Sequence, residues 1–394
     1  MSFLTHLRCY ECQRNYDCSK LQTYCLNCQA PLFPQYDLET ASGILDRDAF
    51  RARSPGMWRW HEMLPVHEVE NRLSLGEGDV PLLQLSNLGG KLGLDRLYAK
   101  DESLNPTGTF KARGLSCAVA KAKELGVKKV IIPTAGNAGG AMAAYAARGA
   151  MEAFVYMPQD TPEANIIECR IAGATVQLVD GLISDAARLA KIKAETEGWF
   201  DLSTFKEPYR VEGKKIMGYE LAESFHWRLP EVIIYPTGGG TGLVGMWKAF
   251  KEMAAMGWLE DDALPRLVVV QSAGCSPVVE AFQGGKNRCD FWQEAETIAS
   301  GLRVPKSFAD RVILDYLRES KGTAVAVRDD EIIEAQGMLA RSEGMFSAPE
   351  GAATLAALHR LIAKGWVHRD EQIVLFITGT GLKYLDQVPE GISL

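Results

Sequence analysis

Short, unbroken apolar runs alternate with helical patterns along this chain, and no other feature limits its fold so tightly. Val130-Ile131-Ile132-Pro133, Ala153-Phe154-Val155-Tyr156-Met157 and Thr175-Val176-Gln177-Leu178-Val179 read as strands. Helical patterns over residues 141–148, 166–172 and 185–197 follow them in turn. The alternation repeats in the second half, with Glu231-Val232-Ile233-Ile234-Tyr235, a helix over 243–256, Leu267-Val268-Val269-Val270-Gln271 and Ile373-Val374-Leu375-Phe376-Ile377. Strands that are apolar along their whole length need cover on both faces, which parallel sheets in α/β proteins receive from their crossover helices. There is no repeat of solenoid period and no low-complexity segment.

The chain has 394 residues, 47% of them hydrophobic, and a net charge of −7. That length supports more than one domain. The mild acidity argues against nucleic acid as a partner. No apolar run approaches the roughly 20 residues that span a bilayer. The segment Met1-Ser2-Phe3-Leu4-Thr5-His6 lacks the charged start and long apolar core of a signal peptide, so a cytoplasmic, reducing setting is expected. The nine cysteines are then thiols or metal ligands rather than a disulfide framework.

Residues 1–35 stand apart in composition. Cys9-x-x-Cys12 and Cys25-x-x-Cys28 have zinc-ribbon spacing, in which two tight turns close one tetrahedral four-thiolate site. Four unrelated cysteines are the alternative, and Cys18 between the pairs offers a fifth thiol. A closed site of this kind folds a knuckle and does no catalysis. Beyond it, Trp58 and Trp60 are expected to be packing aromatics.

Four further segments carry chemistry. Lys111 closes Asn105-Pro106-Thr107-Gly108-Thr109-Phe110-Lys111 and opens a helical pattern. There the positive end of the helix dipole favours the neutral amine that Schiff-base chemistry needs. Pro236-Thr237-Gly238-Gly239-Gly240-Thr241-Gly242 joins a strand to a helix, and its bare backbone suits a phosphate. Gly240, Gly242 and Gly245 also match a dinucleotide fingerprint, but the next strand ends at Gln271, where a ribose-binding acid would be expected. Thr134-Ala135-Gly136-Asn137-Ala138 is a second strand-to-helix loop, suited to a carboxylate. Thr378 ends the last apolar strand, where its hydroxyl would point into the usual crevice of an open α/β sheet. Taken alone, Asn137 is equally a helix cap and Thr378 equally a capping threonine. Together the four segments have the layout that pyridoxal phosphate requires.

These residues resemble the tryptophan-synthase-β group, the fold type II pyridoxal-phosphate enzymes, and within it the threonine-synthase branch. The resemblance runs from about Leu75 to Tyr384. Asn105 to Lys111 is similar to the group's lysine segment, although serine is commoner at Thr109. Thr378-Gly379-Thr380-Gly381 is similar to its pyridine-nitrogen segment, although many relatives carry histidine at Thr380. Glu207-Pro208-Tyr209-Arg210-Val211-Glu212-Gly213-Lys214 resembles a region whose arginine faces the substrate, and Pro349-Glu350-Gly351 resembles a shared helix start.

The resemblance implies two open parallel-sheet domains with a cofactor cleft between them, behind a zinc-ribbon-like knuckle over 1–35. Residues 36–103 and 206–394 would form the large domain, and 104–205 a smaller domain that closes over substrate. Lys111 would be the catalytic lysine. Asn137, Gly238, Gly239, Gly240, Thr241, Gly242 and Thr378 would bind the cofactor, and Thr107, Thr109, Thr134, Ala135, Gly136, Arg210 and Lys214 the substrate. Cys9, Cys12, Cys25 and Cys28 would hold zinc. The implied reaction converts O-phospho-L-homoserine and water to L-threonine and phosphate, in a homodimer. An ammonia-lyase or β-replacement enzyme of the same group is the alternative, and a ribbon-bearing binding protein is the reading outside catalysis.

Overall fold

The computed structural model describes residues 1–387. Among them, thirteen strands form three sheets: β1 (Leu4–Cys9), β2 (Asn15–Tyr16), β3 (Leu32–Tyr36), β4 (Leu82–Gln84), β5 (Arg96–Asp101), β6 (Lys129–Pro133), β7 (Glu152–Pro158), β8 (Thr175–Val179), β9 (Phe200–Asp201), β10 (Val232–Pro236), β11 (Arg266–Ser272), β12 (Thr323–Val327) and β13 (Gln372–Ile377). The chain divides into two compact units. The first comprises Met1–Asp79, Asn105–Glu220 and Val244–Leu259, and the second Val80–Leu104, Leu221–Leu243 and the chain from Glu260 onward. No helix among the described residues is long and apolar enough to cross a membrane.

The second unit is built on a six-stranded sheet of order β12-β11-β10-β13-β5-β4. Its strands are parallel except β4, which runs antiparallel to β5 at the edge. The interior strands β10, β11 and β13 are the Val/Ile/Leu runs legible in the sequence, and they are almost wholly buried. The helix Pro349–Ala363 packs beneath them, with Ala352, Ala353, Leu355 and Leu358 in the same apolar cluster as Ile234, Val270 and Leu375.

The first unit carries the parallel sheet β8-β7-β6-β9 and the small antiparallel sheet β2-β1-β3. The small sheet is no appendage. Leu7, Cys9, Cys25 and Leu32 share one core cluster with Ala112, Leu115, Val119, Met142 and Val155. Trp60 is fully buried and stacks on Phe50 with ring centroids 4.3 Å apart.

The same unit also buries charge. Arg113 on the helix Lys111–Glu124 donates both guanidinium arms to Glu220 on the helix Arg210–Ser224, at 2.6 and 2.7 Å. Glu212 and Glu252 are bridged by Lys215 at 2.8 and 3.0 Å. Lys248 joins the same two carboxylates, and the Tyr36 hydroxyl donates to Glu212 at 2.8 Å. The two helices meet backbone to backbone at Gly213, where a Cβ would lie 2.1 Å from the Arg113 carbonyl oxygen. That crossing fixes the Lys111 helix against the helix that begins at Arg210.

Candidate active site

The segment before Lys111 is held by its own backbone. The Asn105 carbonyl accepts the Gly108 N–H at 2.9 Å, and the buried Asn105 side chain accepts the Gly78 N–H at 3.1 Å. Thr107 lies in the left-handed region at φ 61°, and its buried hydroxyl has no hydrogen-bond partner. A threonine costs energy in that conformation, which marks the turn as one held by its surroundings. The Thr109 hydroxyl, also buried, accepts the Lys111 N–H at 3.2 Å, which satisfies one donor left free at the helix start. The Lys111 ammonium sits 4.3 Å from the Phe110 ring centroid, and the Lys214 ammonium 4.1 Å from the same ring. Two of the candidate site lysines, a hundred residues apart in sequence, thus share one aromatic ring.

The candidate carboxylate loop lies between β6 and the helix Asn137–Arg148. Gly136 adopts φ 149°, which an L side chain resists. Its N–H donates to the Thr134 hydroxyl at 3.1 Å, and that hydroxyl donates back to the Gly136 carbonyl at 3.2 Å. The neighbouring strand β9, parallel to β6, leads into the Arg210 segment. The two segments therefore leave one sheet side by side.

Arg210 is buried. Its Nη1 donates to the Leu202 carbonyl at 2.7 Å and the Thr204 hydroxyl at 3.3 Å, while its Nε has no hydrogen-bond partner. Glu207 accepts the Tyr209 and Arg210 N–H groups at 2.7 and 3.0 Å. Burial pushes this carboxyl up to about 7, against the pull of Arg210 and the two N–H donors.

In the second unit, β10 and β13 pair in parallel, with Ile234 opposite Leu375. The glycine loop 238–240 leaves β10 and runs into the helix Thr241–Ala255, while Thr378 follows β13. The sheet therefore places the glycine loop and the Thr378 hydroxyl at adjacent strand ends. The loop is braced from below. Gln271 donates to the Thr237 carbonyl at 3.1 Å, and Ser307 donates to the Gly239 carbonyl at 3.0 Å. The first N–H groups of a helix lack intrahelical acceptors, so the loop and helix start fit a phosphate. Lysine at a helix start, glycine loop and strand-end hydroxyl are the donor set that pyridoxal phosphate needs.

The ligand atoms of Cys9, Cys12, Cys25 and Cys28 all lie within 4.8 Å of one another, a spacing that fits a tetrahedral four-thiolate metal. Burial works to raise the Cys25 thiol, but the Tyr16 hydroxyl and the N–H groups of Cys28 and Asn27 outweigh it and bring it down to about 6. Cys18 points elsewhere, donating to the Thr5 carbonyl at 3.3 Å.

Of the residues singled out in the sequence, Lys111, Thr107, Thr109, Thr134, Ala135, Gly136, Asn137, Arg210 and Lys214 belong to the first unit. The loop 238–242 and Thr378 belong to the second. Sequence reasoning missed Phe110 and Glu207, although both stand inside motifs it quoted. A ring shared by two lysines and a carboxyl buried beneath an arginine are tertiary facts with no local pattern.

Residues 73–379 match the family described as pyridoxal-phosphate dependent enzyme. The chain is 36% identical over 377 residues to the threonine synthase of Methanocaldococcus jannaschii, covering 95% of this chain and 92% of that one. It is 33% identical over 325 residues to the threonine synthase of Halalkalibacterium halodurans, covering 82% and 88%. Among solved structures, diaminopropionate ammonia lyase from Escherichia coli superposes with a TM-score of 0.69 at 19% identity, over 81% of this chain and 89% of that one. That likeness is one of fold.

Proposed function

The chain belongs to the pyridoxal-phosphate-dependent enzymes of fold type II, and from that premise we propose how its residues divide the work of a threonine synthase. The reaction converts O-phospho-L-homoserine and water to L-threonine and phosphate. Bound pyridoxal phosphate supplies an electron sink that makes the α and β protons of the amino acid removable. Lys111 would hold the cofactor covalently, and its amine would carry protons at those two carbons. Asn137 bonds the cofactor's phenolic oxygen, the loop 238–242 holds its phosphate, and Thr378 its ring nitrogen. Thr134, Ala135 and Gly136 grip the substrate carboxylate, with Thr107 and Thr109 beside it.

The observation that carries this reading is the buried Arg210, with Lys214 one turn further along the helix. The cofactor phosphate occupies the glycine loop, so a phosphorylated substrate needs a second cationic site, preferably with a guanidinium. The adjacent strands β6 and β9 deliver that site and the carboxylate loop to the same sheet end.

The test is release of phosphate from O-phospho-L-homoserine without keto-acid formation. Keto acid from serine or threonine with no phosphate release would move the chain to the ammonia-lyases. Arg210→Ala should weaken use of the phosphorylated substrate by about 1.5–3 kcal/mol, the worth of a charged hydrogen bond. It should leave binding of unphosphorylated amino acids nearly intact, and equal losses for both would make Arg210 structural. The reading extends to a zinc ion in the four-cysteine knuckle, closure of residues 104–205 over substrate, a homodimer and a cytoplasmic setting.

A further inference from the structure

Asn165 is fully buried in the helix Glu163–Ile171, and neither its Nδ2 nor its Oδ1 has a hydrogen-bond partner. Only its backbone is satisfied, the N–H donating to the Pro162 carbonyl at 2.9 Å. One turn earlier, the buried Thr161 hydroxyl also lacks a partner. A carboxamide sealed from water with no partner is rare and costly, and calls for an explanation.

Its position supplies one. The carboxamide lies against Gly136, where a Cβ would come within 3.1 Å of Nδ2 and 3.5 Å of the amide carbon. Gly136 is the residue whose N–H and carbonyl are both tied to the Thr134 hydroxyl. The loop is thus closed on itself, with an idle donor beside it.

We propose that Asn165 is a positioning residue that takes over the Gly136 carbonyl when a carboxylate enters the loop. The inference rests on the reading of residues 134–136 as the carboxylate grip. An incoming carboxylate accepts the Gly136 N–H and the Thr134 O–H, which breaks the two bonds of the closed loop. The carboxylate oxygens gain two donors, and the Gly136 carbonyl loses its own. Asn165 Nδ2 then donates to that carbonyl through a small turn of the Gly136 peptide, which a glycine backbone permits. The Gly136 N–H, the Thr134 O–H and the Gly136 carbonyl each regain a partner, and the idle Nδ2 of Asn165 gains one only with ligand present. Part of the binding free energy therefore arises from a group that never touches the ligand.

The test uses the cofactor-loaded protein with L-threonine as the probe ligand. Amide hydrogen exchange over residues 134–138, the L-threonine dissociation constant and the ligand-free melting temperature are measured for wild type and Asn165→Leu. The leucine variant removes both orphaned polar atoms, so its ligand-free melting temperature should hold or rise. Its affinity for L-threonine should fall about tenfold, the worth of one hydrogen bond, and ligand protection of residues 134–138 should shrink. Asn165→Ala should lose affinity to the same degree, and serves if leucine does not fit. Wild-type affinity with full protection in these variants would overturn the exchange while leaving the carboxylate loop intact. A lower melting temperature with unchanged affinity would also overturn it, by making Asn165 merely structural. Absence of ligand protection at 134–138 in the wild type would overturn the loop reading and the exchange with it.

Discussion

The central strands of the second unit bury hydrocarbon almost throughout, while crossing helices of the first unit carry ion pairs through its interior. Strands β10, β11 and β13 bury Val, Ile and Leu along nearly their whole length. In the first unit, the helix beginning at Arg210 is buried from Arg210 to Glu220 yet contains Arg210, Glu212, Lys214, Lys215 and Glu220. Several of its charges pair with one another or with neighbouring helices, as in the Glu212–Lys215–Glu252–Lys248 cluster and the Arg113–Glu220 pair. An apolar interior tolerates local changes of shape. A charged interior fails sharply when one partner is lost, because the other is left in a medium that cannot solvate it. The proposed site residues Lys111, Arg210 and Lys214 stand on the helices of this second kind of interior.

Metal removal gives the largest contrast. Cys9 and Cys25 belong both to the four-cysteine cluster and to the core, so chelating a metal held there should loosen the first unit well beyond residues 1–35 and lower its melting temperature by several degrees or more. Hydrogen exchange should show new opening around Leu115 and Val119, with β10 and β13 unchanged. Opening confined to the knuckle would mean that its core is separable. Full folding of metal-free protein would dismiss the metal.

Next is the Arg113–Glu220 pair. Arg113→Ala should cost about 3–5 kcal/mol, because Glu220 keeps the Asp79 N–H but is left buried without its guanidinium. The double change Arg113→Met with Glu220→Leu should recover most of that loss. In the hydrocarbon interior, Ile234→Val should cost only about 0.5–1.5 kcal/mol. Denaturant unfolding of the four proteins checks the ranking. An Arg113→Ala cost no larger than that of Ile234→Val would erase the distinction between the two interiors.

The same distinction explains what the sequence could reveal. Val232 to Pro236 and Gln372 to Ile377 are legible because a strand buried on both faces must be apolar throughout. The strand-to-helix loops at 134–136 and 238–240 are legible because turns and helix starts have strict residue demands. Strand β9 has two residues and no pattern of its own, and it exists because β6 offers an edge. The helix Arg210–Ser224 shows no apolar stripe, since its polar side chains are also buried. Asn165 is invisible for a third reason. An asparagine near the start of a helix reads as ordinary, and only its burial beside Gly136 sets it apart.

Glu207, also in the first unit, is buried and ionisable, yet held up to about 7. Its ordinary value is 4.5, so the folded protein binds its proton more tightly than the unfolded chain does. The stability this contributes is fully present below pH 4.5 and is lost as pH rises through about 7, where the folded protein must also give up the proton. The loss amounts to about 3 kcal/mol at most, the free energy of raising the carboxyl from 4.5 to about 7. Burial drives it, and the nearby Arg210 and the N–H groups of Tyr209 and Arg210 restrain it by favouring the carboxylate. Glu207→Gln keeps an acceptor for those N–H groups but has no proton to lose. Its stability relative to wild type should therefore climb between pH 4.5 and 8 and level off above. Parallel stability curves for the two proteins over that range would mean that Glu207 ionises as readily folded as unfolded, and that the Arg210 segment is held by charge rather than by a shared proton.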